Sequence, residues 1–222
     1  MAEKTIRNII FDYGNVVINL DIDATYKAFE NIGASRFSEV WNDIMQSQLF
    51  QKYERGDISS FDFRNILRNA FSNDVTNDQI DWAWNQILKD MPAPRIDLLK
   101  NIRTHYRTFL LSNSNEIHYQ HYLKDLQTQH HLENFDVLFE KAYFSYQLNL
   151  IKPEKIFYQT VLHNHHLKED ETLFIDDLKQ NIDAASALGI KTIWLKEGTD
   201  ICDLFDANNQ LNDTAFLLMN SE

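Results

Sequence analysis

Four short apolar runs constrain this chain more than anything else in it: IRNIIFDY (6–13), RTFLLSNS (107–114), TLFIDD (172–177) and KTIWL (191–195). None alternates apolar with polar residues. Near-continuous apolar runs of this length are the mark of strands buried on both faces. KAYFSY (141–146) is a fifth, weaker candidate. Helical patterns fill most of the gaps, over 115–127, 153–165 and 179–188. Strand and helix in alternation predict an α/β fold, a doubly wound parallel sheet with helices on both faces.

One interval breaks the rhythm. Between Asn19 and about Pro94 the chain shows helical periodicity and no clear strand. DIDATYKAFENIG, RFSEVWNDIMQSQLFQKYERG, SSFDFRNILRNAF and TNDQIDWAWNQILKDM read as four helices. Their breaks fall at Gly33, at Gly56-Asp57 and at Ser72-Asn73-Asp74, with Ser59 and Asn77 as expected N-caps. MPAPRIDLLKNIR then leads back through two prolines. The expected division is a core of 1–18 and 95–222 with a helical cap of 19–94 inserted after the first strand. An insertion at that point overhangs the carboxyl ends of the strands, where open α/β sheets bind ligands.

Composition narrows the partners. The 222 residues carry 33 acids and 21 bases, a formal net charge of −12. That balance disfavours nucleic acid and anionic membrane. No stretch approaches the roughly 20 apolar residues of a membrane span, and MAEKTIRNII has no signal-peptide core. Cys202 is the single cysteine, so no internal disulfide can form; a reducing, cytoplasmic location is expected. Oligomeric state is not legible at this level.

Polar residues close the strands. Asp12 ends the first run, Ser112 and Asn113 the second, and Asp176 with Asp177 the third. Lys152 follows FSYQLNLI and precedes Pro153, which is expected to open a helix at its first position. In a doubly wound sheet these ends converge. Each alone is bland: an Asp after a strand is commonly a turn residue, Ser-Asn a plain turn, Lys-Pro a solvated pair. Together they form a chemical set. Carboxylates with all-oxygen donors select a hard divalent cation, most simply Mg²⁺. A phosphate suits that cation, with Lys152, the Ser112 hydroxyl and the backbone N–H groups of 112–114 meeting its remaining charge. Asp12 is then placed to attack phosphorus.

The motifs FDYGN, LLSNSN, LIKPEKIFY and LFIDDLKQNIDAA, in this order, resemble those of the haloacid dehalogenase (HAD) superfamily, and the resemblance spans nearly the whole chain. FDYGNVV together with YERGDIS looks most like the branch containing α-D-glucose-1-phosphate phosphatases. The resemblance implies a Mg²⁺-dependent phosphatase for a small phosphorylated metabolite. It implies Asp12 as nucleophile and metal ligand, the Gly14 carbonyl as a further ligand, and Ser112 and Asn113 on the phosphoryl oxygens. Lys152 would balance charge, Asp176 and Asp177 would hold the metal, and Asn181 and Asp183 would stand behind them.

Gly14 departs from the pattern. Most phosphatases of the superfamily carry a second Asp there, which protonates the leaving group. A placed proton donor is typically worth about 10²–10⁴-fold. Its absence predicts that sugar 1-phosphates, with the better leaving group, turn over faster than sugar 6-phosphates. A metal-independent 2-haloacid dehalogenase is the alternative enzyme, and a non-catalytic binding module on the same fold the alternative of another class. Tyr53, Glu54 and Arg55, ahead of Gly56, are expected to face the site from the cap, with Arg55 able to meet a substrate hydroxyl or phosphate or to form an ion pair. Asn15 is placed to orient water. The runs HNHH (163–166) and HH (130–131) fit no common zinc spacing and read as surface helix ends. Trp82 and Trp84 point opposite ways on a helix, and Cys202 reads as a small buried residue.

Overall fold

The run that opens the chain is buried at all four of its strand positions, Asn8–Phe11. In the computed structural model, which describes residues 5–33, 41, 48–71 and 75–219, it is strand β1 of a parallel sheet. The others are β2 (Arg107–Ser112), β3 (Lys141–Phe144), β4 (Thr172–Asp176) and β5 (Lys191–Trp194), in the order β3-β2-β1-β4-β5. Helices α1 (Ile22–Asn31), α2 (Leu49–Arg55), α3 (Ser60–Phe71), α4 (Asn77–Asn85) and α5 (Ala93–Ile102) lie between β1 and β2. Beyond β2 come α6 (Glu116–Gln129), α7 (Ser145–Leu148), α8 (Lys155–His165), α9 (Lys179–Ser186) and α10 (Asp213–Met219).

The period-two alternation of side chains divides the strands between two cores. Ile9, Phe11, Leu110 and Ile175 pack with Leu98, Leu99 and Ile102 of α5 and with Tyr122 and Leu126 of α6. Ile10, Phe109, Leu111 and Phe174 face the other way, onto Phe157, Tyr158 and Val161 of α8 and Ile182 and Ala185 of α9. Burying one such side chain contributes about 1.5–3 kcal/mol, so a one-residue register slip is prohibited on either face. The sheet is therefore wound on both sides, as the apolar runs predict.

Strand order sets the position of the crevice. The chain steps outward from β1 to β2 to β3, then returns across the sheet to β4 and β5. Phe11 is paired with Leu110 on one side and with Ile175 on the other. The winding reverses beside β1, and a reversal opens a cleft beyond the carboxyl ends of the flanking strands.

A third core belongs to the inserted helices. Ala28 and Phe29 of α1, Leu49 and Tyr53 of α2, Phe63 and Leu67 of α3, and Ile80 and Trp84 of α4 cluster together, and Ile117 of α6 joins them. Ser59 caps α3 by accepting from Asp62 N–H at 3.1 Å. The cap of α4 is Thr76 and not Asn77. Thr76 holds an extended backbone, its hydroxyl accepts from Gln79 N–H and the Gln79 side chain answers, a reciprocal box; Asn77 is the first helical residue and accepts from Arg68.

Four further expectations shift. The helix expected to reach Met91 stops at Asn85 because 87–90 pair with the outgoing chain: Asp21 N–H bonds Ile87 O at 2.8 Å, Lys89 N–H bonds Asn19 O at 3.0 Å and Asn19 N–H bonds Asp90 O at 3.0 Å. The two passages between inserted helices and sheet thus run as a paired ribbon. β3 ends at Phe144, where Ser145 starts α7. Pro153 does not open a helix: Ile151–Glu154 closes a turn (2.9 Å), the Lys152–Pro153 peptide is cis, and α8 starts at Lys155. Cys202 is half-buried rather than buried. Most of the helix expected over 36–56, and the break at Ser72-Asn73-Asp74, lie outside the described residues. Among the described residues no helix is long and apolar enough to cross a membrane.

Candidate active site

Asp12 leaves the end of β1 with its N–H on Ile175 O at 2.9 Å, so its side chain points into the cleft between β1 and β4. There it meets Lys152. The ammonium donates to Asp12 Oδ1 at 2.6 Å and to Asp176 Oδ2 at 2.7 Å. The Lys152 and Asp176 side chains are almost wholly inaccessible. Asp12, Asp176 and Asp177 each bring a carboxylate oxygen within 4.8 Å of the others. These groups sit up to 165 positions apart in sequence, and the strand order alone brings them together.

The electrostatics are those of an underneutralised pocket. Burial pushes the Asp12 carboxyl up to about 7, Asp176 and Asp177 add to the shift, and Lys152 opposes it. Burial likewise raises Asp177, against the hydrogen bond from Asn15. Burial also works against the charge of Lys152, but Asp12 and Asp176 outweigh it and hold the ammonium above the ordinary lysine range. Three carboxylates around one ammonium leave two negative charges. That donor set and charge fit a divalent cation.

The adjacent acids are not equivalent. Asp176 is saturated: besides Lys152 it accepts from Leu178 N–H at 2.8 Å and from Asn181 Nδ2 at 3.0 Å on both oxygens. Asp177 accepts at one oxygen from Asn15 Nδ2 at 3.0 Å. Asn15 does not stand free beside the site, as expected for a water-orienting group; it clamps Asp177, and its own Oδ1 accepts from Leu20 N–H at 3.2 Å. A backbone φ of 53° at Asn15 aims it there, a conformation asparagine tolerates. Asn181 stands behind Asp176, but Asp183 does not: it is exposed and paired with Lys179.

On the β2 side, Ser112 is buried, its hydroxyl making one long bond to Asn113 O (3.3 Å). The Asn113 side chain accepts from Lys152 N–H at 2.8 Å and donates to Lys152 O at 3.0 Å, and so fixes the lysine backbone. Ser114 N–H is taken by Ser145 Oγ at 2.8 Å. Ser145 was not singled out from the sequence, although it too is a polar residue closing an apolar strand.

The end of α2 lies against the elements beside the cleft. Tyr53 OH bonds Ser60 Oγ at 2.9 Å and accepts from Ile117 N–H at 3.4 Å. Ser145 Oγ donates to Glu54 O. Arg55 pairs with Glu154 and, at 3.7 Å, with Asp57, so of the two expected uses the ion pair is the one present. Asn149 Nδ2 donates to Arg55 O at 3.3 Å. Gly56, at φ 82°, lies so close to α7 that a Cβ would stand 2.3 Å from Tyr146 O; only glycine fits. The segment 53–56 is thereby pinned against α7 and the loop that carries Lys152. Glu54 is partly buried there. Burial pushes its carboxyl up to about 8, with Lys152 opposing and Asp12 adding.

The remaining candidates lie elsewhere. His130 and His131 follow α6, and His163 to His166 end α8, where His165 Nε2 meets Tyr143 OH at 2.9 Å. Trp84 is buried and stacks on His118, while Trp82 is 48% exposed.

The family described as haloacid dehalogenase-like hydrolase matches residues 9–195 of the chain. A D-ribitol-5-phosphate phosphatase of Bacteroides thetaiotaomicron is 28% identical over 195 residues, 88% of this chain and 94% of that protein. A HAD family enzyme of the same organism, solved as a complex with magnesium and inorganic phosphate, is 35% identical at a TM-score of 0.82, covering 90% of this chain and all of that one. A HAD-like family hydrolase from Porphyromonas gingivalis is 31% identical at a TM-score of 0.76, over 87% and 93% of the two chains.

Proposed function

The chain belongs to the haloacid dehalogenase-like hydrolases, and from that membership we propose that it is a Mg²⁺-dependent phosphatase of small phosphorylated metabolites, with a sugar or sugar-alcohol phosphate as substrate. The observation that carries the reading is the buried cluster of Asp12, Asp176 and Asp177 around Lys152, at the strand ends where the winding reverses. The related phosphatase of D-ribitol 5-phosphate supports the substrate class. The resemblance to glucose-1-phosphate phosphatases draws no support from the relatives described above.

Asp12 attacks phosphorus, and the bond to the leaving oxygen breaks to give an aspartyl-phosphate and a free alcohol. Water then attacks the phosphoryl group and returns Asp12 to its carboxylate. Asp12, Asp177 and the Gly14 carbonyl would hold the cation. Asp176, whose oxygens are already bonded, fixes Lys152 instead. When bound, Mg²⁺ supplies the positive charge that lets an anionic nucleophile approach an anionic ester. Lys152 holds one Asp12 oxygen and leaves the other to react. The Ser112 hydroxyl reaches the phosphoryl oxygens.

The test is phosphate release from a panel comprising D-ribitol 5-phosphate, glucose 1-phosphate, glucose 6-phosphate and p-nitrophenyl phosphate, with and without Mg²⁺, beside a 2-haloacid. Chelator-sensitive release from at least one ester is expected. Dehalogenation that survives chelation, with no phosphate released, would replace this reading by the dehalogenase one.

A further inference from the structure

Gly14 leaves the reaction without a proton donor on the loop after β1, and Leu20 fills the space, its Cδ1 lying 2.7 Å from where a Cβ would be. An alkoxide is a poor leaving group, so a sugar-alcohol phosphate needs an acid from somewhere else. The segment 53–56 brings one. Its backbone is tied to the sheet domain by Ser145 on Glu54 O and by Asn149 on Arg55 O. It is tied further by the Arg55–Glu154 pair and by the close approach of Gly56 to Tyr146. Ser145 also binds Ser114, two residues past Ser112, and Glu154 is two residues past Lys152. The side chain between these ties is a carboxyl that makes no hydrogen bond or ion pair with any described residue.

We propose that Glu54 is the acid and base of the phosphatase reaction, donating its proton to the leaving oxygen and then taking one from the attacking water. This rests on the phosphatase reading above. In the first step Asp12 bonds to phosphorus, the P–O electron pair passes to the leaving oxygen, and the Glu54 proton completes the alcohol. In the second step the Glu54 carboxylate takes a proton from water as its oxygen bonds to phosphorus. The P–O bond to Asp12 breaks, phosphate departs, and Glu54 is again protonated. Among the described residues, the charged and titratable groups that interact with Glu54 are Lys152 from the loop after α7, Asp12 just past β1, and Tyr122 from α6. Poor solvation in that setting raises its carboxyl to about 8, so it carries the proton at neutral pH. The preference for sugar 1-phosphates expected from Gly14 then disappears, because the missing acid is supplied from the cap.

The experiment compares Glu54→Gln with the unmodified enzyme on D-ribitol 5-phosphate, or the best primary-alcohol phosphate of the panel, and on p-nitrophenyl phosphate, with saturating Mg²⁺. p-Nitrophenolate leaves without a proton. Glu54→Gln is expected to lower kcat/KM for the alkyl phosphate by about 10²–10⁴-fold. For p-nitrophenyl phosphate kcat/KM should stay within about threefold while kcat falls, with a burst of p-nitrophenolate, because only the second step then lacks its base. The retained aryl kcat/KM also reports an intact fold. Equal losses on both substrates, or no loss on either, would overturn the assignment. An unmodified enzyme that releases phosphate from no ester would instead overturn the phosphatase reading, and the assignment with it.

Discussion

Lys152 shows how much one residue can hold. Its ammonium is the common partner of Asp12 and Asp176, and its backbone is gripped by Asn113. Lys152→Met leaves buried carboxylates facing each other. Removing one partner of a buried pair costs about 3–5 kcal/mol, so a loss of that order is expected in urea denaturation of the metal-free protein, partly recovered on adding Mg²⁺; an unchanged midpoint would contradict the electrostatic account. Asp12→Asn is expected to abolish turnover and keep the fold, because an amide neither attacks phosphorus nor serves well as a metal ligand; activity near the parent level with an unchanged circular dichroism spectrum would contradict it. Glu54 makes a pH prediction. Its folded-state pKa is raised from 4.5 to about 8, so its contribution to stability is present in full below about 4.5 and is lost as pH rises through about 8. Glu54→Gln cannot ionise. Measured from pH 4.5 to 8.5 without metal, the variant should gain on the unmodified protein as pH rises, and parallel curves would show that Glu54 is ordinarily solvated.

Among the elements, the short helix α2 has a role out of proportion to its length. Its end is fixed by Gly56, and the constraint is twofold: a left-handed φ of 82° and the 2.3 Å between a built Cβ and Tyr146 O. Gly56→Ala must move the backbone of one side or the other. The left-handed strain alone is worth about 1–3 kcal/mol. The expected outcome is a lower Tm together with a drop in kcat/KM for alkyl phosphates larger than that for p-nitrophenyl phosphate, since Glu54 moves with the segment. A variant with parental Tm and kinetics would mean that the junction is soft. The paired ribbon of 19–21 with 87–90 is the other element-scale device: two crossings hydrogen-bonded to each other restrict the ways the inserted helices can tilt.

At the scale of the molecule, two negative charges at the bottom of the cleft sit within a chain of net charge −12. A divalent cation therefore binds the folded chain far better than the unfolded one, and stability should follow its concentration. At 100 times Kd the gain is about 2.7 kcal/mol, read as a rise in Tm along a Mg²⁺ titration. Asp177→Asn, which removes a carboxylate with an open oxygen, should shift that titration to higher Mg²⁺ by at least about tenfold. A Tm indifferent to Mg²⁺ in the unmodified protein would remove the metal from the account. Mg²⁺ should also flatten the pH dependence of stability, because Asp12, raised to about 7 when metal-free, is then held ionised.

The apolar runs by themselves determined the parallel sheet and the two faces that cover it, because burial on both sides of a strand leaves a local mark at every position. They also marked where chemistry gathers, since Asp12, Ser112, Asp176 and Asp177 each interrupt a buried strand at its end. Strand order, which places β1 between β2 and β4, was decided only by tertiary packing. So was the division of labour at the site. Asn113 turned out to grip a lysine backbone 39 positions away, Asp183 to pair with Lys179 on the surface, and Asn15 to clamp Asp177. None of these follows from residue type, because a polar side chain takes whichever partner the folded backbone puts within 3 Å. The same reason governs Glu54. In sequence it is one acid in a run of polar residues before a glycine. It acquires its poorly solvated setting, without a hydrogen bond or ion pair to any described residue, only when α2 closes on α7 and on the loop that carries Lys152.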